Sequence, residues 1–126
     1  MPKEYPRSRR VADQIQRILA GVIHNEVKDP RLGMVTVTTV RVSPDLRYAK
    51  VYVTLLDDEA REESVAVLNR AAGFLRSRLG DELKLRVVPE LRFVYDESIE
   101  RAREMESLIE KAVREDQKKH DGNEDD

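Results

Sequence analysis

The sequence predicts an α+β layer sandwich in the order helix, strand, strand, helix, strand, helix. Two periodicities and the residues that separate them carry this prediction. Apolar residues recur at three- and four-residue steps near the start, the middle and the end of the chain, the spacing of one helix face. Between those stretches they alternate with polar residues, as on a half-buried strand, and proline or glycine stands near most of the changeovers. With 126 residues, 40% of them hydrophobic, the chain supports one core and hardly two.

Val11, Ile15, Ile18, Leu19, Val22 and Ile23 form the stripe of the first helix, with Ser8 as the expected N-cap. Arg9, Arg10, Asp13, Gln16 and Arg17 fall largely off the stripe, toward solvent or a partner. Gly21 costs the helix about 1 kcal/mol relative to alanine, which points to a close packing contact there. Residues 28–33, Lys-Asp-Pro-Arg-Leu-Gly, read as a loop. Val35 and Val37 then share a parity that slips to Val40 and Val42, so a bulge is expected near Thr38-Thr39. Ser43-Pro44-Asp45 has turn chemistry, with proline at the first central position. In the second strand Ala49, Val51, Val53 and Leu55 face one way, and Tyr48, Lys50, Tyr52 and Thr54 the other. Strand, turn and strand make an antiparallel hairpin.

Asp57, Asp58, Glu59, Glu62 and Glu63 suit the first turns of the next helix, where carboxylates complement the helix dipole. The stripe Val65, Leu68, Ala72, Leu75 and Leu79 predicts a single helix over about residues 59–79, stopped by Gly80. Alternation returns over residues 83–95, but Pro89 interrupts it, so the strand is better bounded around Leu91, Phe93 and Tyr95. From Ser98, the residues Ala102, Met105, Ile109 and Ala112 mark a last helix within 97–115. Residues 116–126 are charged and without periodicity, the composition of a disordered acidic tail.

Charge is unevenly distributed. The chain has 23 Lys/Arg against 25 Asp/Glu, yet residues 1–96 hold 17 against 14 and residues 97–126 hold 6 against 11. A basic front and an acidic rear suit a protein that meets phosphate on one side. Cysteine is absent, so disulfides and thiolate metal sites are excluded. The start, MPKEYPRSRR, has no apolar stretch and does not read as a signal peptide. No apolar run approaches the roughly 18 residues of a membrane span. A soluble, cytoplasmic protein without a membrane partner is expected.

Little here points to catalysis. His24 and His120 are the only histidines and lie far apart. The acidic pairs are explained by helix starts. No phosphate loop, zinc spacing or nucleophile elbow is present. The expectation is a protein that is not an enzyme, with no cofactor and no metal.

Helix, strand, strand, helix, helix, strand is the order of the bacterial-type, or type II, KH domain, an RNA-binding fold. Four stretches go further than topology: Arg10-Val11-Ala12-Asp13-Gln14-Ile15, Asp29-Pro30-Arg31-Leu32-Gly33, Val42 through Val51, and Leu85 through Phe93. In order and spacing they resemble the ribosome-binding factor A family over roughly residues 7–112. An ordinary KH loop needs Gly-x-x-Gly so that backbone can approach phosphates, and no two glycines here have that spacing. The family has an Ala-x-Gly kink between its middle helices instead. Ala71-Ala72-Gly73 matches it, although members often have a polar residue where Ala72 stands. The resemblance therefore implies helix–kink–helix where periodicity alone reads one helix.

What the resemblance implies is a KH-like RNA-binding domain over residues 1–96 that binds free or precursor 30S subunits. It further implies help in late maturation of 16S rRNA, including its 5′ end, and a role in the cold. The partners would be the 30S subunit, 16S rRNA and other small-subunit maturation factors, GTPases among them, with the chain itself a monomer. Candidate phosphate binders are Arg7, Arg9, Arg10 and Arg17 in the first helix, and Lys28 and Arg31 in the loop after it. Arg70, Arg76 and Arg78 flank the kink, and Lys84 and Arg86 lie beyond it. Each alone is explained by a solvated helix face. As a set they can converge on a nucleic-acid backbone without reading its sequence. Tyr48, Lys50 and Tyr52 make an outward stripe suited to base stacking, which cross-strand packing explains equally. Two alternatives remain at this point: a general single-stranded RNA-binding KH module, and a protein-interaction domain without RNA contact.

Overall fold

The computed structural model describes residues 6–124. Its contacts divide the chain into two compact units, residues 1–96 and 97–126.

The first unit begins with α1, Arg7–Glu26. Pro6, extended at φ −53° and ψ 146°, precedes it, and its carbonyl accepts the N–H groups of Arg9 and Arg10 at 2.9 and 3.2 Å. Ser8 therefore lies inside the first turn and caps nothing, contrary to the sequence expectation. The apolar stripe is buried through Val11, Ala12, Ile15, Leu19, Val22 and Ile23, packed on β1 (Val35–Val42) and on α3 (Ala72–Glu82). Gly21 is exposed and an added Cβ would meet nothing within 4 Å, so no close contact explains it.

β1 pairs antiparallel with β2, Tyr48–Leu55. The register passes from Val37↔Val53 to Thr39↔Tyr52, which leaves Thr38 as the extra residue of a bulge where the parity slip put it. A bulge frees carbonyls from the ladder, and Gln16 takes them: its Nε2 donates to Val37 O at 3.2 Å and Thr38 O at 3.1 Å. Gln16 thus serves the sheet, where the sequence turned it to solvent or a partner. Ser43 O accepts the N–H of Leu46 at 2.9 Å across Pro44 and Asp45, the predicted turn. Leu46 sits at φ 62°, a crowded conformation for a branched residue, with its side chain packed on the core edge.

β3, Glu90–Tyr95, joins the other side of β2 in parallel and gives the sheet order β1-β2-β3. Parallel neighbours need a long crossover. It consists of a 3₁₀ turn at Asp58–Ala60, α2 at Arg61–Arg70, and α3. Both α2 and α3 pack on β3, so the helices and the sheet form two layers.

The single helix expected over 59–79 is broken at Ala71, whose ψ of 1° departs by about 40° from the helical value. Gly73 is exposed, lacks a positive φ and has open space around it, so glycine is not required there. Gly80 does not stop α3, which continues to Glu82. Its own role is close packing: a Cβ would stand 3.2 Å from Val88 Cγ2.

Ile15, Leu19, Val51, Leu68, Leu75, Leu79 and Phe93 are completely or almost completely buried. Burying each contributes about 1.5–3 kcal/mol. Polar clamps finish the edges. Asn69 Nδ2 donates to Phe93 O at 2.9 Å, and its Oδ1 accepts the Phe93 N–H at 2.8 Å, a second ladder for an edge strand. Ser64, fully buried, donates from Oγ to Arg31 O at 3.3 Å and ties the loop after α1 to α2.

The second unit is α4, Ser98–Glu124. It passes residue 115, so the disorder expected from residue 116 is not found up to 124, while 125–126 lie outside the described residues. Strong helix formers dominate residues 106–119, and Glu110–Arg114 and Glu115–Lys119 have ion-pair spacing, which favours helix without a core-facing stripe. Ile99, Met105, Leu108, Ile109 and Val113 on α4 are exposed. No helix among the described residues is long and apolar enough to cross a membrane.

Candidate nucleic-acid interface

Ten of the eleven predicted cations sort into three kinds, and Arg9 stands apart. The first kind is occupied by carboxylates. Arg31 donates from Nε and Nη2 to both oxygens of Asp29 at 3.0 and 2.8 Å. This fork, with the Arg31 N–H on the same carboxylate, holds Asp29 down to about 2. Arg78 is gripped by Glu26 at 2.9 Å and Asp81 at 3.0 Å, which raises its pKa above the ordinary guanidinium value. The second kind is structural. Arg76 donates from Nε and Nη2 to the carbonyl of Val88 at 3.1 and 2.8 Å, fixing the segment that leads into β3.

The third kind is exposed with no ion pair to any described residue: Arg7, Arg10, Arg17, Lys28, Arg70, Lys84 and Arg86. Arg9 is exposed on α1 and is engaged within the protein.

The fold brings the free cations together at two clefts. Arg17 and Lys84 line one, together with Gln14, Ile18, Glu82 and Leu83. Arg10 lies two turns before Arg17 on the same side of α1. Lys28 and Arg70 line the other, with the paired Arg31 and Asp29, Glu26, Ala71 and the half-exposed Phe74. Both clefts border one face of α3. Phe74 lines the second, Arg78 reaches Glu26 of α1, and Glu82 lines the first. These three recur every four residues on α3, so they form one row along the α1–α3 seam, about 12 Å long. Free cations sit at both ends, and the Arg78–Glu26 pair closes the middle. Arg7, Arg10 and Arg86 line neither cleft.

Sequence reasoning missed Arg47. It shares a shallow cleft with Arg76, Tyr48 and Glu90, because its carbonyl accepts the Glu90 N–H at 2.8 Å and so positions it beside β3. Only a non-local strand pairing carries that signal. His24 is exposed in the last turn of α1, and the side chain of His120 lies outside those described. Among the described residues no three His, Asp or Glu are grouped as metal ligands would be.

A three-stranded mixed sheet under α1, α2 and α3, with a broken middle helix in place of a glycine clamp, defines a small KH-like α+β protein of type II order. Its free charge is offered as single cations along a helix seam, a surface suited to a phosphate backbone. A family model described as ribosome-binding factor A matches residues 7–109, and the chain belongs to that family. A ribosome-binding factor A of Nitrosococcus oceani is 54% identical over 126 residues, covering 99% of this chain and 97% of its own. A solution structure of a Thermotoga maritima protein described as a putative ribosome binding factor A superposes with a TM-score of 0.65 at 41% identity, covering 75% of this chain and 90% of that one. A homology model of the Thermus thermophilus factor, fitted into a cryo-electron microscopy map of its complex with the 30S subunit, superposes with a TM-score of 0.60. That chain is 34% identical, and the match covers 68% of this chain and 91% of that one.

Proposed function

We propose that this chain binds free or precursor 30S subunits through 16S rRNA and assists late maturation of that rRNA, including its 5′ end, with a role in cold adaptation. The observation that carries the reading is the α1–α3 seam, where Arg17 and Lys84 at one end, with Arg10 two turns before Arg17, and Lys28 and Arg70 at the other make no ion pair with a described residue. Phosphate contacts of this kind hold a duplex or strand in register without reading its bases. Binding energy then acts by selection: the rRNA arrangement that fits the seam gains population over those that do not. No bond is made or broken by the protein. Residues 1–96 form the RNA-binding domain, and the chain acts as a monomer in the cytoplasm beside other maturation factors, GTPases included. Membership of the family and the 30S complex of the Thermus thermophilus factor support this partner.

Sedimentation of tagged protein in cell extract through a sucrose gradient tests it. The protein is expected with free and precursor 30S particles and not with 70S ribosomes. Recovery at the top of the gradient at low salt, or equally in all ribosomal fractions, would overturn the proposal.

A further inference from the structure

The side of the sheet turned away from α1, α2 and α3 carries charge that the seam does not use. Register places Arg41 opposite Lys50, and Lys50 opposite Arg92, so three cations stand in one row across all three strands. All three are exposed, and none makes an ion pair with a described residue. The next row contains Tyr52, whose ring centroid is 5.9 Å from the Arg41 guanidinium and 5.7 Å from Lys50 Nζ. Tyr48, 58% exposed, stands on the other side of Lys50. Among the outward residues of the strands Glu90 is the only acid, placed opposite Tyr48. Asp96, just past β3, is engaged by Thr38 Oγ1 at 2.5 Å.

Like charges directly opposite on neighbouring strands destabilise a sheet. Three in a row, without a carboxylate interleaved, are the arrangement folding alone disfavours. A polyanion that neutralises them removes the penalty, and the flanking tyrosines add faces on which unpaired bases stack. An acidic protein segment would match the charge but makes no use of two outward rings beside a cation row.

We propose that this sheet face is a second RNA site, which takes a short single-stranded segment with phosphates on Arg41, Lys50 and Arg92 and bases on Tyr48 and Tyr52. The inference deepens the RNA-binding reading above and rests on it. It makes the protein two-sided toward RNA, with a duplex or structured element at the helix seam and an unpaired strand at the sheet.

The test uses the full chain, a fluorescein-labelled 12-nucleotide oligouridine and purified 30S subunits. Three single-strand phosphate contacts predict that R41Q/K50Q/R92Q loses about 100-fold in oligouridine affinity at 0.1 M salt. Removing both rings in Y48A/Y52A is expected to cost at least tenfold. R17Q/K84Q, altered at the seam, should bind the oligonucleotide within twofold of the parent. Loss of folding is a separate readout: relief of like-charge opposition predicts that R41Q/K50Q/R92Q melts no lower than the parent. Unchanged oligouridine binding by R41Q/K50Q/R92Q overturns the proposal, as does absence of binding by the parent. Equal competition by a 12-residue polyglutamate also overturns it, in favour of an acidic protein partner. If the seam variant loses 30S binding while the sheet variant retains both ligands, the sheet site fails and the RNA-binding reading stands. If neither variant affects 30S binding, the reading beneath it fails.

Discussion

Removing Arg17 and Lys84 together is the sharpest probe of the seam. Both are exposed, both line the same cleft, and neither holds the fold through a hydrogen bond to a described residue. Arg76 and Arg78 are poorer choices, because removing Arg76 strips two hydrogen bonds from Val88 O and removing Arg78 releases Glu26. Arg10, Arg17, Lys28, Arg70 and Lys84 offer five free cations at the seam. If each meets one phosphate, log affinity falls against log salt with a slope of about −3.5 to −4.5. From 50 to 200 mM salt the parent then loses about 250-fold in affinity for 30S subunits. The R17Q/K84Q variant removes two contacts, and its slope should be shallower by about 1.4 to 1.8. At 0.1 M salt that is roughly 40-fold weaker binding, or about 2 kcal/mol. The assay is fluorescence anisotropy of labelled protein against subunits at four salt concentrations, with circular dichroism to confirm that the helices persist. Parallel salt slopes for parent and variant would refute the reasoning, whatever the offset between them, because counterion release depends on the number of phosphates met.

Asn69→Ala should cost about 1–3 kcal/mol, since Phe93 loses both partners on an edge strand; urea unfolding measures it, and a change under 0.5 kcal/mol contradicts the clamp. Gly21→Ala is expected to stabilise by up to about 1 kcal/mol because the added methyl meets nothing. Gly80→Ala should show less gain or a loss, with Val88 Cγ2 3.2 Å away, and thermal melts of the two variants should differ in this order. The Asp29 carboxyl is depressed from 3.8 to about 2, chiefly by the Arg31 side-chain hydrogen bond. A depressed carboxylate contributes stability above its unfolded pKa and loses it as pH falls through the folded one. Asp29 should therefore stay ionised at pH 3 in a carboxyl-carbon NMR titration, and a midpoint near 3.8 would show that the Arg31 fork does not persist in solution. Because the group is exposed, its effect on global stability is expected to be small.

Local periodicity was sufficient for the elements that bury one clean face. The α1 stripe, the alternation of β2 and the parity slip at Thr38 each report on which side of one element is dry, and a dry side is a property of residue order. The hairpin turn was legible for the same reason, since Pro44 and Asp45 act on their own backbone. The break at Ala71 was not, because alanine favours helix and the apolar stripe runs straight through it; the resemblance supplied what periodicity could not. Gln16 and Asn69 read as ordinary polar residues until the bulge and the edge strand came within reach.

The set of cations was determined by the sequence alone, but not their availability. Arg31 and Arg78 are matched by Asp29, Glu26 and Asp81, and Arg76 is spent on a carbonyl, while Arg17 and Lys84 meet across 67 residues of chain. Arg41, Lys50 and Arg92 became one row only through strand register. A charge binds an external phosphate only when no internal partner has reached it first. Reach is set by which segments pack side by side, and residue order along a single element does not contain it.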